Sequence, residues 1–160
     1  LKYSIVDLPK EAAKVLGWDG SKTEKDRRFL SDIMDLSTDY NDAPFKDVLS
    51  LVTDFKNNKD YAEYKVLIID MRDPKDIARA VKTFGAETIL IDNPNVGKIE
   101  SNHADANVNN YEYDYIIEND GTLEQLDAMA KLFVRDIICW SEIRAHEKPH
   151  ILTCSNMEVK

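Results

Sequence analysis

Two short runs of branched apolar residues constrain this chain more than anything else in it: Val66-Leu67-Ile68-Ile69 and Thr88-Ile89-Leu90-Ile91. Neither is broken by a charge. An uninterrupted run of this kind reads as a strand covered on both faces, because a half-exposed strand would alternate apolar with polar residues. Between the two runs, Asp73-Pro74 supplies a helix N-cap and a first-turn proline. Ile77, Ala78, Val81 and Phe84 follow as a buried helical face, and Gly85 stops the helix. Strand, amphipathic helix, strand is the repeating unit of a parallel sheet.

The remaining segments fit the same scheme. Tyr3-Ser4-Ile5-Val6 reads as a short buried strand ended by Asp7-Leu8-Pro9, with a short helix from Lys10 to Leu16 stopped by Gly17. A long helix starts at Thr23 and carries Phe29, Ile33, Leu36 and Tyr40 on one face. Asn41 and Asp42 interrupt it, and Pro44 opens a helix with Phe45, Val48, Leu49, Val52 and Phe55 inward. Asn57 to Tyr64 is a polar connection, and 93–110 is a long polar loop or lid. Tyr113 to Ile117 is a further strand. After it, Thr122 and Gln125 form a capping box for a helix whose apolar face is Leu123, Leu126, Met129, Ala130, Phe133 and Ile137. The tail from 145 to 160 contains Pro149 and suggests no regular element strongly. The expected architecture is an α/β domain over residues 1–144, a parallel sheet sandwiched by helices, followed by that tail.

Length and charge narrow the partners. The 160 residues suit one domain, and a net charge of −9 argues against non-specific binding to nucleic acid or an anionic membrane. A phosphate-bearing small molecule stays open, since it needs only a few local arginines or amides. Two cysteines, Cys139 and Cys154, make no disulfide framework and point to reduced thiols and a cytoplasmic setting. No run is long enough to cross a bilayer, and Leu1 to Asp7 does not read as a signal peptide. Because the chain opens on Leu1, it is expected to start downstream of the natural gene's start.

In parallel sheets ligands collect beyond the carboxyl ends of strands. Asp70 and Arg72 stand at such an end: the arginine can hold a phosphate through two parallel hydrogen bonds, and the aspartate can order water or Mg²⁺. A strand-end ion pair or a helix cap accounts for them equally well. Asp7 has the same two readings. Lys25, Arg27 and Arg28 are a basic knot that a solvated helix face would explain. Ser101 to Asn107 is rich in small polar groups, as a binding loop is. Its His103 and Asp105 are too few for a metal site, and His146, His150 and Cys154 are separated by Pro149.

Gly17 to Thr23, G-W-D-G-S-K-T, imitates the phosphate-binding pattern G-x-x-x-x-G-K-[ST]. Ser21 stands where the second glycine belongs, and a helix precedes the segment where a strand is required. It is rejected as a phosphate loop.

Several stretches nonetheless resemble deoxynucleoside-monophosphate-kinase-like proteins of bacteria and their phages. They are K-E-A-A-K, L-G-W-D-G and K-D-R-R-F-L-S-D between Pro9 and Tyr40, I-I-D-M-R-D-P-K-D-I around Arg72, and S-N-H-A-D-A-N-V from Ser101. Y-D-Y-I-I-E-N-D-G-T-L-E-Q-L is also similar to the last strand, loop and helix of dephospho-coenzyme A kinases. The resemblance spans Tyr3 to Ile138. It implies a P-loop nucleotide-kinase fold and an ATP- and Mg²⁺-dependent transfer of phosphate to a nucleotide. It implies further that Asp7, Arg27, Arg28 and Arg72 face the phosphate acceptor. Ser101, Asn102, His103, Asp105 and Asn107 would belong to a lid, and Asn119, Gly121 and Thr122 would lie near adenine. Such proteins begin with a strand, P-loop and helix that have no counterpart in these residues. Lacking that central strand exposes apolar faces and strand edges, and the 160 residues alone are expected not to transfer phosphate. The alternative is a non-catalytic nucleotide-binding or interaction protein of the same fold.

Overall fold

The computed structural model describes residues 1–64, 66–97, 107–139 and 150–153. They form two compact units, one holding Leu1–Gly85 and residues 107–110, the other 86–97, 111–139 and 150–153. Both mix helices with small parallel sheets, so the α/β class holds.

In the first unit, β1 (Lys2–Ser4) pairs in parallel with β2 (Ile68–Asp70), placing Tyr3 beside Ile69 and Ser4 beside Asp70. Three helices lie between them in sequence: α1 (Asp7–Val15), α2 (Glu24–Asn41) and α3 (Ala43–Asn57). Helix α1 starts three residues earlier than the sequence suggested. Pro9 falls in its first turn, where no intrahelical partner for a backbone N–H is required, so it begins the helix with its neighbours instead of ending a strand. Helix α2 opens on a capping box between Thr23 and Asp26. Asp42, in the left-handed region at φ 60°, ends α2 and begins α3, turning the chain without a glycine. A 3₁₀ turn at Lys59–Tyr61 sits in the polar connection. Helix α4 (Pro74–Phe84) is capped by the Asp73 carboxylate, which accepts from the Lys75 N–H, and ends on left-handed Gly85.

The core of this unit is Ile5, Phe45, Val48, Val52 and Ala80, with Tyr3, Met34, Leu67, Ile69 and Phe84 against it. Phe45 and Phe84 stack at 5.7 Å. Tyr3, Ile5, Leu67 and Ile69 share one face of the sheet, and that face alone is packed in the core. Lys2 and Asp70 are exposed on the other face, and Ile68 between them is 51% exposed. The expected two-sided burial of Val66 to Ile69 is therefore corrected to one side. Two further expectations on helix faces change. Leu36 and Tyr40 of α2 are 71% and 83% exposed, and on α4 it is Ala80, not Ala78, that is buried.

The strand edges of this sheet differ. The Ile68 N–H donates to the Leu1 carbonyl and the Ile5 N–H to that of Asp70. Alternation then turns the main-chain groups of Leu67, Ile69 and Met71 to the edge away from β1. On the outer edge of β1, Lys2 carries a charge and the Ser4 N–H donates to Asp7, the kind of guard that discourages a further strand.

In the second unit β3 (Ile89–Asp92), β4 (Tyr115–Glu118) and β5 (His150–Thr153) form a parallel sheet with β4 in the centre. Strand β5 lies in the tail where no element was expected. Its residues, H-I-L-T, make a run too short to stand out by periodicity, and its pairing with β4 defines it. Thr88 and Asp114 lock the start of β3 to β4: the Asp114 carboxylate accepts from the Thr88 N–H at 2.9 Å, and the Asp114 N–H donates to the Thr88 hydroxyl at 2.9 Å. Helix α5 (Leu123–Cys139) covers β4, with Leu126, Met129 and Phe133 against Ile117 and the Phe133 ring edge-on to Tyr115 at 5.2 Å. Its Leu123 and Ala130, expected inward, are exposed. Ile89 and Ile91, on the face of Tyr115 and Ile117, are 39% and 63% exposed. Thr88–Ile91 is thus also buried less completely than its composition predicts.

Candidate functional site

Asp7, Asp70 and Arg72 in the first unit, and Asn119, Gly121 and Thr122 in the second, follow the carboxyl ends of parallel strands. In the first unit the paired ends of β1 and β2 bring Asp7 and Asp70 to neighbouring turns, joined through the Ile5 N–H to Asp70 carbonyl bond of 3.2 Å. Asp7 is committed to structure: one oxygen accepts from the Ser4 N–H at 2.9 Å, and the other from Lys10 Nζ at 2.8 Å. Those bonds hold the turn from strand to helix. Asp70 is exposed and pairs with Lys2 across the sheet at 3.1 Å. Arg72 is exposed in the two-residue link between Asp70 and the Asp73 cap of α4, just before a helix N-terminus where backbone N–H groups and the helix dipole favour an anion.

Arg27 and Arg28 lie early in α2. Arg27 Nε donates to the Lys22 carbonyl at 3.4 Å, and Arg28 is exposed. The loop ahead of them settles the question of the false phosphate motif. It follows helix α1, and two of its amides are engaged with its own carboxylates. The Ser21 N–H donates to Asp19 and the Thr23 N–H to Asp26, at 2.9 and 3.0 Å. Asp26 also accepts from the Ser21 and Thr23 hydroxyls. Those bonds, the Ser21 hydroxyl foremost, hold the Asp26 carboxyl below the usual range, and the Ser21 N–H does the same for Asp19. Two carboxylates stand where a phosphate loop presents bare amides. Such a loop repels a phosphate.

In the second unit, the Asn119 N–H donates to the Asp92 carbonyl at 2.6 Å, so the loop after β4 starts beside the end of β3. Gly121 is exposed. Thr122 and Gln125 form the expected reciprocal cap: the Thr122 N–H donates to Gln125 Oε1 at 2.8 Å, and the Gln125 N–H to the Thr122 hydroxyl at 3.3 Å. The Thr122 hydroxyl is thus a cap first. Of the lid residues, Ser101, Asn102, His103 and Asp105 lie outside the described residues, as do His146 and Cys154. Asn107 is exposed and accepts from Asn110 Nδ2 at 2.8 Å, beside a 3₁₀ turn. Among the described residues there is no group of three or more metal-ligating side chains, and no helix is long and apolar enough to cross a membrane.

Three polar contacts escaped sequence reasoning. Tyr3 donates its hydroxyl to Asp47, Thr88 locks to Asp114, and Arg79 grips Asp42. Their partners lie 26 to 44 residues apart, and only Thr88 and Asp114, each just ahead of a strand, had a positional hint. Comparison of the chain with models of protein families, with curated proteins and with solved structures gives no match.

Proposed function

We propose that the chain is the larger part of an ATP-dependent phosphotransferase of the nucleoside monophosphate kinase type, built on a three-layer α/β/α P-loop fold and acting on a (deoxy)nucleotide or similar small acceptor. The observation that carries this reading is Arg72: an exposed guanidinium at the carboxyl end of a parallel strand, next to the N-terminus of α4. It would hold the acceptor phosphate bidentately, with Asp70 beside it ordering water or Mg²⁺. Asp7 would act by fixing the strand-end turn, since its oxygens already hold Ser4 and Lys10. The half-covered Ile68, Ile89 and Ile91, and the turned-out edge of β2, agree with sheets that lack a central strand.

The residues fit the two nucleotides unequally. Asn119 and Gly121 offer a polar loop suited to a base, but in Gly17 to Thr23 the Ser21 and Thr23 amides are engaged with the Asp19 and Asp26 carboxylates, and that loop does not fit the phosphates of ATP. A bound Mg·ATP would supply the transferable phosphate. The loop cradling it would come from residues outside these 160. That same engagement of amides favours a second reading, a nucleotide-binding protein of this fold that performs no transfer.

Calorimetric titration of the 160-residue chain with deoxynucleoside monophosphates tests the assignment of Arg72. Arg72→Ala is expected to weaken binding at least about tenfold, as loss of a charge-assisted hydrogen bond does. Arg72→Lys should recover only part of it, because an ammonium cannot make the planar contact. Absence of binding, or affinities unchanged in both variants, removes Arg72 from the site.

A further inference from the structure

The two carboxylates at the paired strand ends of the first unit each hold a lysine: Asp7 pairs with Lys10 at 2.8 Å and Asp70 with Lys2 at 3.1 Å. The pairs differ in what else they do. Asp7 also holds the Ser4 N–H, so its pair with Lys10 belongs to the turn from strand to helix. Lys2 builds no turn. Its register neighbour in β2 is Ile68, so to reach Asp70 its side chain runs diagonally, two residues towards the carboxyl end of β2. A lysine that only guarded the outer edge of β1 would leave its ammonium in water. The paired side chains are 71% and 49% exposed, and a pair that open adds little to stability.

What the pair changes is the charge beside Arg72. Met71 packs on the core, and the exposed Asp70 and Arg72 flank it, with backbones about 7 Å apart if the strand spacing continues. A phosphate held by Arg72 would therefore lie within range of the Asp70 charge. A bare carboxylate at that range opposes a doubly charged phosphate by a factor of about five at low salt. With Lys2 on it, Asp70 presents a neutral pair instead. Asp73, on the other side of Arg72, is taken up by the cap of α4. In a chain of net charge −9 there is little general attraction for an anion, so cancelling a carboxylate at the site itself matters.

We infer that Lys2 is a positioning residue for phosphate recognition: paired with Asp70 across the parallel strands, it cancels the carboxylate charge that would oppose a phosphate on Arg72. The inference rests on the proposed role of Arg72 and adds to that site a residue from β1.

Calorimetric titration of the 160-residue chain with deoxynucleoside monophosphates, without Mg²⁺ and at about 20 mM and about 500 mM salt, is the test. Lys2→Met keeps the stem and loses the charge. It should weaken binding about fivefold at the lower salt and less than about twofold at the higher, where screening cuts the reach of a charge to a few ångströms. Lys2→Arg should stay within about twofold of the wild type, since the pair needs only a cation. Lys2→Met combined with Asp70→Asn should return to within about twofold, because both charges of the pair are then gone. A loss caused by a disturbed fold would follow neither the salt nor the second substitution. Circular dichroism checks each variant, and Lys2→Gln carries the test if Lys2→Met does not fold. A wild type that binds no monophosphate contradicts the reading of Arg72 and takes this inference with it. If the wild type binds and Arg72→Ala weakens it, two results overturn the inference alone: Lys2→Met as tight as the wild type at low salt, or a double variant as weak as Lys2→Met.

Discussion

Tyr3 shows how one side chain ties a strand to a helix. Its ring packs on the core of the first unit, and its hydroxyl donates to Asp47 on α3. Burial, then the hydrogen bond and charge of Asp47, push the phenol well above its ordinary value. The folded state therefore keeps the proton when the unfolded chain loses it. That stability is fully present below the unfolded phenol pKa of about 10 and is lost as pH rises beyond it. Denaturant titrations of the wild type should hold level from neutral pH and fall above that point. Tyr3→Phe should cost about 1 kcal/mol at neutral pH and show a smaller alkaline fall. A wild-type alkaline fall that Tyr3→Phe reproduces in full would place the titrating group elsewhere. Nothing in the sequence near Tyr3 announced this bond, because Asp47 is 44 residues away. By contrast Asp73-Pro74 and the Thr122–Gln125 pair were legible, since a cap and its helix are adjacent in the chain.

At the scale of elements, Arg79 joins three helices. It donates from Nη1 to Asp42 at 2.8 Å and from Nη2 to the other carboxylate oxygen, and its guanidinium lies 3.7 Å from the centre of the Phe45 ring. Asp42 is the hinge between α2 and α3, and Arg79 is on α4, so the pair fixes the angle at which that corner meets α4. The hydrogen bonds from Arg79 hold the Asp42 carboxyl below the usual range. Its contribution is present above an ordinary carboxyl pKa of about 4 and is lost as pH falls through the depressed value. Both side chains are partly hydrated, so a double-mutant cycle of Arg79→Ala and Asp42→Ala should give a coupling of about 1 kcal/mol at neutral pH. Coupling should vanish in strong acid, and Arg79→Lys should keep only part, having lost the planar fork and the ring contact. Additive single losses would mean that the corner is set by packing alone. The helices themselves were legible from apolar spacing and caps, but which face of α2 turns inward was not. Leu30 and Met34 compete with Leu36 and Tyr40 for that role, and periodicity does not decide between two apolar stripes on one helix.

For the whole molecule, the runs at Val66–Ile69 and Thr88–Ile91 correctly announced parallel strands and an α/β class. They overstated burial, because an apolar run records what a sheet can cover and not how many neighbours it has. In these sheets of two and three strands, Ile68 and Ile91 remain more than half exposed. The candidate site was legible as a set of strand ends, while the commitment of Asp7 to Ser4 and Lys10 became visible only in the hydrogen bonds. Under the proposed function, the strand ends of each unit take part in binding a phosphorylated nucleotide, with Arg72 on the acceptor side. The most direct measurement is a residue-resolved NMR titration of the ¹⁵N-labelled 160-residue chain, with a deoxynucleoside monophosphate in one series and Mg·ATP in another. On this reading the monophosphate should move the amides of Asp70 to Asp73 and of Lys75, and Mg·ATP should act most strongly from Asn119 to Thr122 and leave Gly17 to Thr23 unmoved. Amides at both strand ends that stay in place through millimolar concentrations of each nucleotide, or a response centred on Gly17 to Thr23, would contradict it.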